Sequence, residues 1–130
     1  MMNRRSILIA SLVAVAFTIS PALAETVPAF DAKAFADAQK AGKPILVAIH
    51  ASWCPTCKAQ APILSNLAKD PKFKNVVAFQ IDFDSQKDLL RKFDVRMQST
   101  LISFKGASEV GRSTGDTNPA SIEALVAKSI

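Results

Sequence analysis

The chain has 130 residues, 49% of them hydrophobic, and its 16 basic residues outnumber its 11 acidic residues for a formal charge of +5. This length supports one domain with a modest core and leaves no room for a second domain of ordinary size. The lysines lack the interleaved aromatic residues typical of nucleic-acid binding, so we expect no nucleic acid among the partners.

Residues 1–24 have the pattern of a secretory signal peptide. Paired arginines at positions 4 and 5 precede an apolar stretch at 7–19, and an Ala-Leu-Ala sequence ends at Ala24. The apolar stretch is shorter than the roughly 20 residues of a membrane span. We therefore expect export to a bacterial periplasm, by the general or the twin-arginine route, and cleavage that leaves a domain at 25–130. An uncleaved N-terminal membrane anchor is the alternative.

The domain is predicted to begin with a helix and a buried strand. Asp31 is a suitable N-cap, and Gly42 is placed to end a helix over 32–41. After Pro44, residues 45–49 form a nearly continuous apolar run, which is typical of a strand covered on both faces. The sequence thus predicts a central strand shortly before the two cysteines.

A second helix is predicted to begin at Pro55, because proline suits the first helical turn. Pro62, inside this helix, removes one backbone hydrogen bond and should bend it. The apolar residues at helical spacing are Ala59, Ile63, Leu64 and Leu67.

The remaining residues alternate strand and helix patterns. The predicted elements are a strand at 76–83, a helix at 87–93, strands at 101–104 and 109–111, and a last helix capped by Asn118 and opened by Pro119. A short turn around Gly106 makes the last two strands an antiparallel hairpin. The order of elements predicts an α/β fold, with a central mixed β-sheet flanked by helices on both faces.

Cys54 and Cys57 are the only cysteines, and they lie at the predicted strand-to-helix junction. The free amides and positive dipole end of a helix stabilise a thiolate, so thiol pKa values in such positions fall to about 3.5 to 7.5. We expect Cys54 to be the exposed nucleophile and Cys57, one turn further in, to be the shielded thiol that resolves a mixed disulfide. The alternatives are a structural disulfide, which would stabilise little over so short a loop, and half of a zinc site, which needs about four ligands.

Several short motifs together carry a family resemblance. They are Ile-Leu-Val at 45–47, Trp-Cys-Pro-Thr-Cys-Lys at 53–58, Ala-Pro-Ile-Leu at 61–64, Ile-Asp-Phe-Asp at 81–84, the predicted hairpin and Gly115. On these motifs the chain resembles the thioredoxin family, specifically its exported thiol-disulfide proteins, over residues 30–130. The resemblance implies a thioredoxin fold with Cys54 as nucleophile and Cys57 as resolving thiol. It also implies a substrate surface that includes Trp53, Pro55, Ser99 and Thr100.

One departure from the family pattern lies in the loop that faces the cysteines. The family places a cis-proline there, whereas this chain has Ser99. A cis bond before a residue other than proline costs about 2.5 to 4 kcal/mol, so either the loop is strained or this peptide is trans. Ser99 is then either drift in a loop or a hydroxyl placed to hydrogen-bond Cys54.

A second departure lies in the central strand. Many thioredoxins carry a buried acid there, which relays the proton of the resolving cysteine, and this chain has Ala48. His50, the only histidine, is a candidate proton relay because imidazole titrates near neutral pH. The alternative is an ordinary packed or exposed histidine.

These features favour a periplasmic thiol-disulfide oxidoreductase that exchanges disulfides with client proteins, acts as a reductant and is recycled by a membrane-bound redox partner. We expect a monomer with neither cofactor nor resident metal. The alternative is a copper(I) carrier or metallochaperone using Cys54, Cys57 and His50, since soft thiolates select Cu(I) and loss of the proline would open space over the sulfurs. A third hypothesis is a partner-binding module in which the thiols are incidental.

Overall fold

The computed structural model describes residues 27–130, and the predicted signal peptide lies outside the described residues. The elements are α1 (Ala32–Lys40), β1 (Pro44–His50), α2 (Pro55–Lys69), a 3-10 turn (Pro71–Phe73), β2 (Val77–Asp82), α3 (Lys87–Lys92), β3 (Thr100–Lys105), β4 (Ser108–Thr114) and α4 (Pro119–Ala127). These bounds agree closely with the predicted ones, except that β4 is longer at both ends. Across the described range, no helix has both the length and the apolar character needed to cross a bilayer.

The strands form one mixed sheet in the order β2-β1-β3-β4. β1 is parallel to β2 and antiparallel to β3, and the β3-β4 hairpin turns at Gly106, whose φ is +59°. β1 lies inside the sheet, and Ile45 to Ile49 are all buried, which confirms the predicted central strand. β1 ends at His50, and the loop that leads to the cysteines begins directly after it.

Helices cover both faces of this sheet, as predicted. On one face, Phe35 of α1 packs its ring within 5.8 Å, centroid to centroid, of four other phenylalanine rings. On the other face, Leu46 and Leu101 pack against Ile122 of α4 and the inner side of α2. Because successive side chains of a strand point to opposite faces, β1 contributes to both cores and is anchored from both sides.

The inner face of α2 differs from the prediction. Ala59 is exposed, and the buried positions near the start of the helix are Cys57 and Gln60. Cys57 points inward, so the buried stripe continues at positions three and seven residues later, which places Gln60 and Leu64 inside and Ala59 outside. α2 continues past Pro62 to Lys69. A polar side chain thus lies where the sequence pattern had placed only apolar ones.

Candidate active site

The two cysteines lie at the start of α2, shortly after the end of β1. Cys54 is the N-cap of α2, with extended backbone angles, and its sulfur accepts a hydrogen bond from the Cys57 amide at 3.1 Å. Pro55 occupies the first helical position, where its missing N–H leaves no intrahelical bond unmade. The Cys54 sulfur therefore faces the free amides and the positive end of the helix dipole.

The hydroxyl of Ser99 lies between the two sulfur atoms. Its Oγ is 3.1 Å from Cys54 Sγ and 3.2 Å from Cys57 Sγ, and Ser99 is only 2% exposed. The structure thus supports the interpretation of Ser99 as a hydroxyl directed at the thiols. It also corrects the expectation that loss of the proline opens space over the sulfurs, because the hydroxyl occupies that space.

The backbone at Ser99 settles the question of the peptide geometry. No cis peptide bond occurs within residues 27–130, so the bond before Ser99 is trans. Ser99 instead has a left-handed backbone with φ of +63°, a conformation that costs about 1 to 2 kcal/mol for a residue with a side chain. Its amide donates to the Ile49 carbonyl at 2.9 Å, which ties the loop to β1.

Both cysteines are buried, contrary to the expectation that Cys54 is exposed. Cys54 is 1% exposed and Cys57 is 3% exposed, and they pack with Ala51 and the half-buried Phe83. The Ser99 loop closes over the pair from the opposite side of the site. Exposure therefore does not distinguish the two thiols, and the distinction between them is electrostatic.

The pKa values of the two thiols shift in opposite directions. Burial alone raises the pKa of Cys54, but hydrogen bonds from the Cys57 thiol, the Ser99 hydroxyl and two backbone amides outweigh it and hold that pKa below its ordinary value. Burial raises the pKa of Cys57, and the neighbouring Cys54 raises it further. Cys54 is therefore the thiol that more readily becomes the reactive thiolate.

His50 and Cys57 line the same pocket. This pocket has a volume of about 160 Å³ and is also lined by Gln60, Gln80 and Ala48. His50 is half-buried and lies opposite Asp82 in the β1-β2 register. Most of the pocket wall is apolar, but the pocket is wide enough for water and His50, Gln60 and Gln80 contribute polar groups to the wall. Ala48, which stands where the family has a buried acid, therefore borders a pocket that also contains the imidazole of His50 in its lining.

The remaining predicted substrate residues divide into exposed and buried ones. Trp53 is 55% exposed, and its indole N–H donates to Asp84 at 2.8 Å, which fixes the ring beside the cysteines. Pro55 is exposed as well. Thr100 is buried, and its hydroxyl bonds the Met97 carbonyl at 2.8 Å and the Thr114 hydroxyl at 3.1 Å. The Thr100 side chain is thus committed to the β3-β4 hairpin rather than to the surface.

Three residues near the site were not found by sequence reasoning. Gln60 is 3% exposed and hydrogen-bonds the Ser99 carbonyl, Asp84 orients Trp53, and Met97 is 53% exposed in the loop that carries Ser99. Only Gln60 had a usable sequence signal, since it follows Cys57 by three residues and shares its helix face.

The described residues provide few donors for a metal. Within residues 27–130, no group of three or more His, Cys, Asp or Glu side chains is arranged to hold a metal ion. The two thiols, with the Ser99 hydroxyl between them, are the soft donors of the site.

Comparison with protein families matches residues 26–128 to the family described as Thioredoxin. The chain belongs to the thioredoxin family. Membership of the thioredoxin family and the predicted fold are confirmed, and the chain is a thioredoxin-type thiol-disulfide oxidoreductase.

Relatives of comparable length support this assignment. Thioredoxin from Mycobacterium bovis is 34% identical over 97 residues, which are 75% of this chain and 83% of that protein. Thioredoxin Asp f 29 from Aspergillus fumigatus is 33% identical over 97 residues, with 74% and 87% covered. The bifunctional thioredoxin reductase/thioredoxin of Mycobacterium leprae is 35% identical over 97 residues. The matched residues are only 21% of the length of that longer protein.

A solved structure shows the same fold. The crystal structure of Trxlp from Edwardsiella tarda EIB202 superposes with a TM-score of 0.73 at 40% sequence identity, covering 77% of this chain and 98% of that one. The cysteine pair thus lies in a thioredoxin fold, with the Ser99 hydroxyl within hydrogen-bond distance of both sulfur atoms.

The opposite pKa directions predict an order of alkylation. After reduction, iodoacetamide should modify Cys54 first, with a rate that rises at lower pH than the rate for Cys57, because only the thiolate reacts. Peptide mass mapping over a pH series measures both rates in one sample. Equal rates at every pH, or earlier modification of Cys57, would contradict the assignment.

The left-handed backbone predicts the effect of restoring the family's residue. Proline fixes φ near −65° and has no N–H, so Ser99→Pro should lose the bond to Ile49 and lower the free energy of unfolding by about 2 kcal/mol or more. Ser99→Gly, the matched control, keeps the N–H and tolerates positive φ, so its change should stay within about 1 kcal/mol. Urea unfolding of the reduced proteins measures both. A Ser99→Pro variant at least as stable as the wild type would mean that the peptide is not held trans.

Proposed function

We propose that this protein is an exported thioredoxin that reduces disulfides of client proteins in a bacterial periplasm, with Cys54 as nucleophile and Cys57 as resolving thiol. The observation that carries the proposal is the bridged pair, in which one buried thiol has a lowered pKa and its neighbour a raised one. Such a pair has one sulfur ready to attack and a second that keeps its proton until it is needed.

In the first step, the Cys54 thiolate attacks one sulfur of a client disulfide. A bond forms between Cys54 Sγ and that sulfur, the client S–S bond breaks, and the other client sulfur leaves as a thiolate. The Cys57 amide and the Ser99 hydroxyl hold the Cys54 thiolate beforehand, at 3.1 Å each. Because both cysteines are buried, the client sulfur has to displace part of the Ser99 loop to reach Cys54.

In the second step, Cys57 loses its proton and attacks Cys54 Sγ. The mixed disulfide breaks, a Cys54–Cys57 disulfide forms, and the client leaves with both of its sulfurs reduced by the two electrons of the pair. The Cys57 proton leaves through the pocket that Cys57 shares with His50, either to water or to the imidazole. In this scheme His50 is the candidate proton relay, and water is the alternative acceptor.

The proposed client surface surrounds the cysteines. Trp53 and Met97 are large, exposed apolar side chains, one directly before Cys54 and the other in the Ser99 loop. Pro55 extends the surface on the helix side. An extended client segment gains apolar contacts from these side chains while its disulfide lies over Cys54.

The proposed location and partners rest on the N-terminal sequence. Two arginines, an apolar stretch and an Ala-Leu-Ala sequence ending at Ala24 favour export, and an oxidising periplasm requires a source of electrons for a reductant. We therefore propose a membrane-bound redox partner that reduces the Cys54–Cys57 disulfide, and a monomeric protein that meets it and its clients in turn.

The proposed roles predict which variant captures clients. Cys57→Ser should accumulate mixed disulfides with periplasmic proteins, because the first attack proceeds and the resolving thiol is missing. Cys54→Ser is the matched control and should capture far less. Non-reducing gels of separate periplasmic and cytoplasmic fractions, with mass spectrometry of the adducts, measure the difference.

Two outcomes would count against this function. Adducts that are absent from Cys57→Ser would contradict client exchange, and adducts confined to cytoplasmic proteins would contradict export. Stoichiometric Cu(I) retained after anaerobic loading, together with absent insulin-disulfide reduction, would favour the copper carrier instead.

A further inference from the structure

Gln60 is a buried polar residue that connects three parts of the site. It lies on α2 one turn after Cys57 and is 3% exposed. Its side-chain amide donates to the Ser99 carbonyl at 3.1 Å and to the Asp116 carbonyl at 2.8 Å. The helix that carries Cys57 therefore also holds the loop before β3 and the loop after β4.

The backbone of Ser99 is held at both of its polar groups. Its amide donates to Ile49, and its carbonyl accepts from the Gly115 amide at 3.0 Å as well as from Gln60. These bonds oppose relaxation of the left-handed φ of +63°. A serine hydroxyl has one side-chain torsion before its oxygen, so a fixed backbone restricts where Oγ can lie.

We propose that Gln60 is a positioning residue of the redox centre, whose amide holds the Ser99 backbone so that the Ser99 hydroxyl stays between the Cys54 and Cys57 sulfur atoms. Cys57 and Gln60 share one face of one helix, so the hydroxyl is held in fixed relation to the thiols. The inference concerns the same pair as the proposed function, but it is tested on the thiols themselves without any client.

A purely structural role for Gln60 would have a different consequence for the thiols. By tying Asp116 to α2, the amide would stabilise the fold without affecting the thiols. Gln60→Met keeps the length of the side chain and removes both N–H donors, and Gln80→Met is a matched control because Gln80 lines the same pocket but is not a hydrogen-bond partner of Ser99. The readout is the titration of Cys54, which a structural role would not move.

The experiment measures the rate of Cys54 alkylation against pH in the reduced full-length protein. Gln60→Met should lower the thiolate fraction of Cys54 by about three- to tenfold at a pH below its pKa, because the bond from Ser99 is weakened. Gln80→Met should titrate like the wild type. In a Ser99→Ala background, Gln60→Met should produce no additional change, because the group it positions is gone.

Two results would overturn the proposal. One is an unchanged Cys54 titration in Gln60→Met, and the other is a shift that persists in full in the Ser99→Ala background. If Gln60→Met does not fold, the side-chain amide resonances of Gln60 in nitrogen-labelled wild type serve instead. They should move as pH passes through the Cys54 pKa, and resonances that stay fixed would overturn the proposal. Failure of client capture, by contrast, would count against the proposed function only.

Discussion

One hydroxyl, on Ser99, contacts both sulfur atoms of the reactive pair, and the chemistry of the site depends on that contact. A hydroxyl has a single proton to donate and lone pairs with which to accept. The hydroxyl can therefore donate to only one of the two sulfur atoms, and a thiolate at Cys54 is a stronger acceptor than a Cys57 thiol that keeps its proton. The opposite shifts of the two thiol pKa values agree with this order. Burial strengthens it, because water competes little for either sulfur.

The fold brings the three partners together from distant parts of the chain. β1 is anchored by cores on both faces of the sheet, so its end at His50 is a rigid starting point for the cysteine loop. The Ser99 amide bonds to Ile49 on that same strand. Gln60 then connects the Ser99 loop to α2. The position of the hydroxyl is thus set by hydrogen bonds to a strand and a helix that pack firmly.

Much of the fold was predictable from sequence because its signals are local. Asp31 and Asn118 cap helices as expected, and the apolar run at 45–49 forms the central strand. The site was less predictable because its decisive features are tertiary. The residues next to Cys54 do not predict its burial, and the residues next to Ser99 do not predict its left-handed backbone. The predicted apolar face of α2 includes Ala59 and omits Gln60, because a pattern of apolar residues cannot identify a polar residue that is buried.

The Ser99 contact also has a consequence for redox balance. Hydrogen bonds to the sulfurs stabilise the dithiol form of the pair, and stabilising that form makes the reduction potential less negative. The most direct test of this account is the equilibrium reduction potential of Cys54–Cys57 in wild type and in Ser99→Ala. Loss of the hydroxyl should make the potential more negative by about 10 to 30 mV, the equivalent of about one hydrogen bond. A potential that is unchanged or less negative in Ser99→Ala would contradict the central role of the hydroxyl.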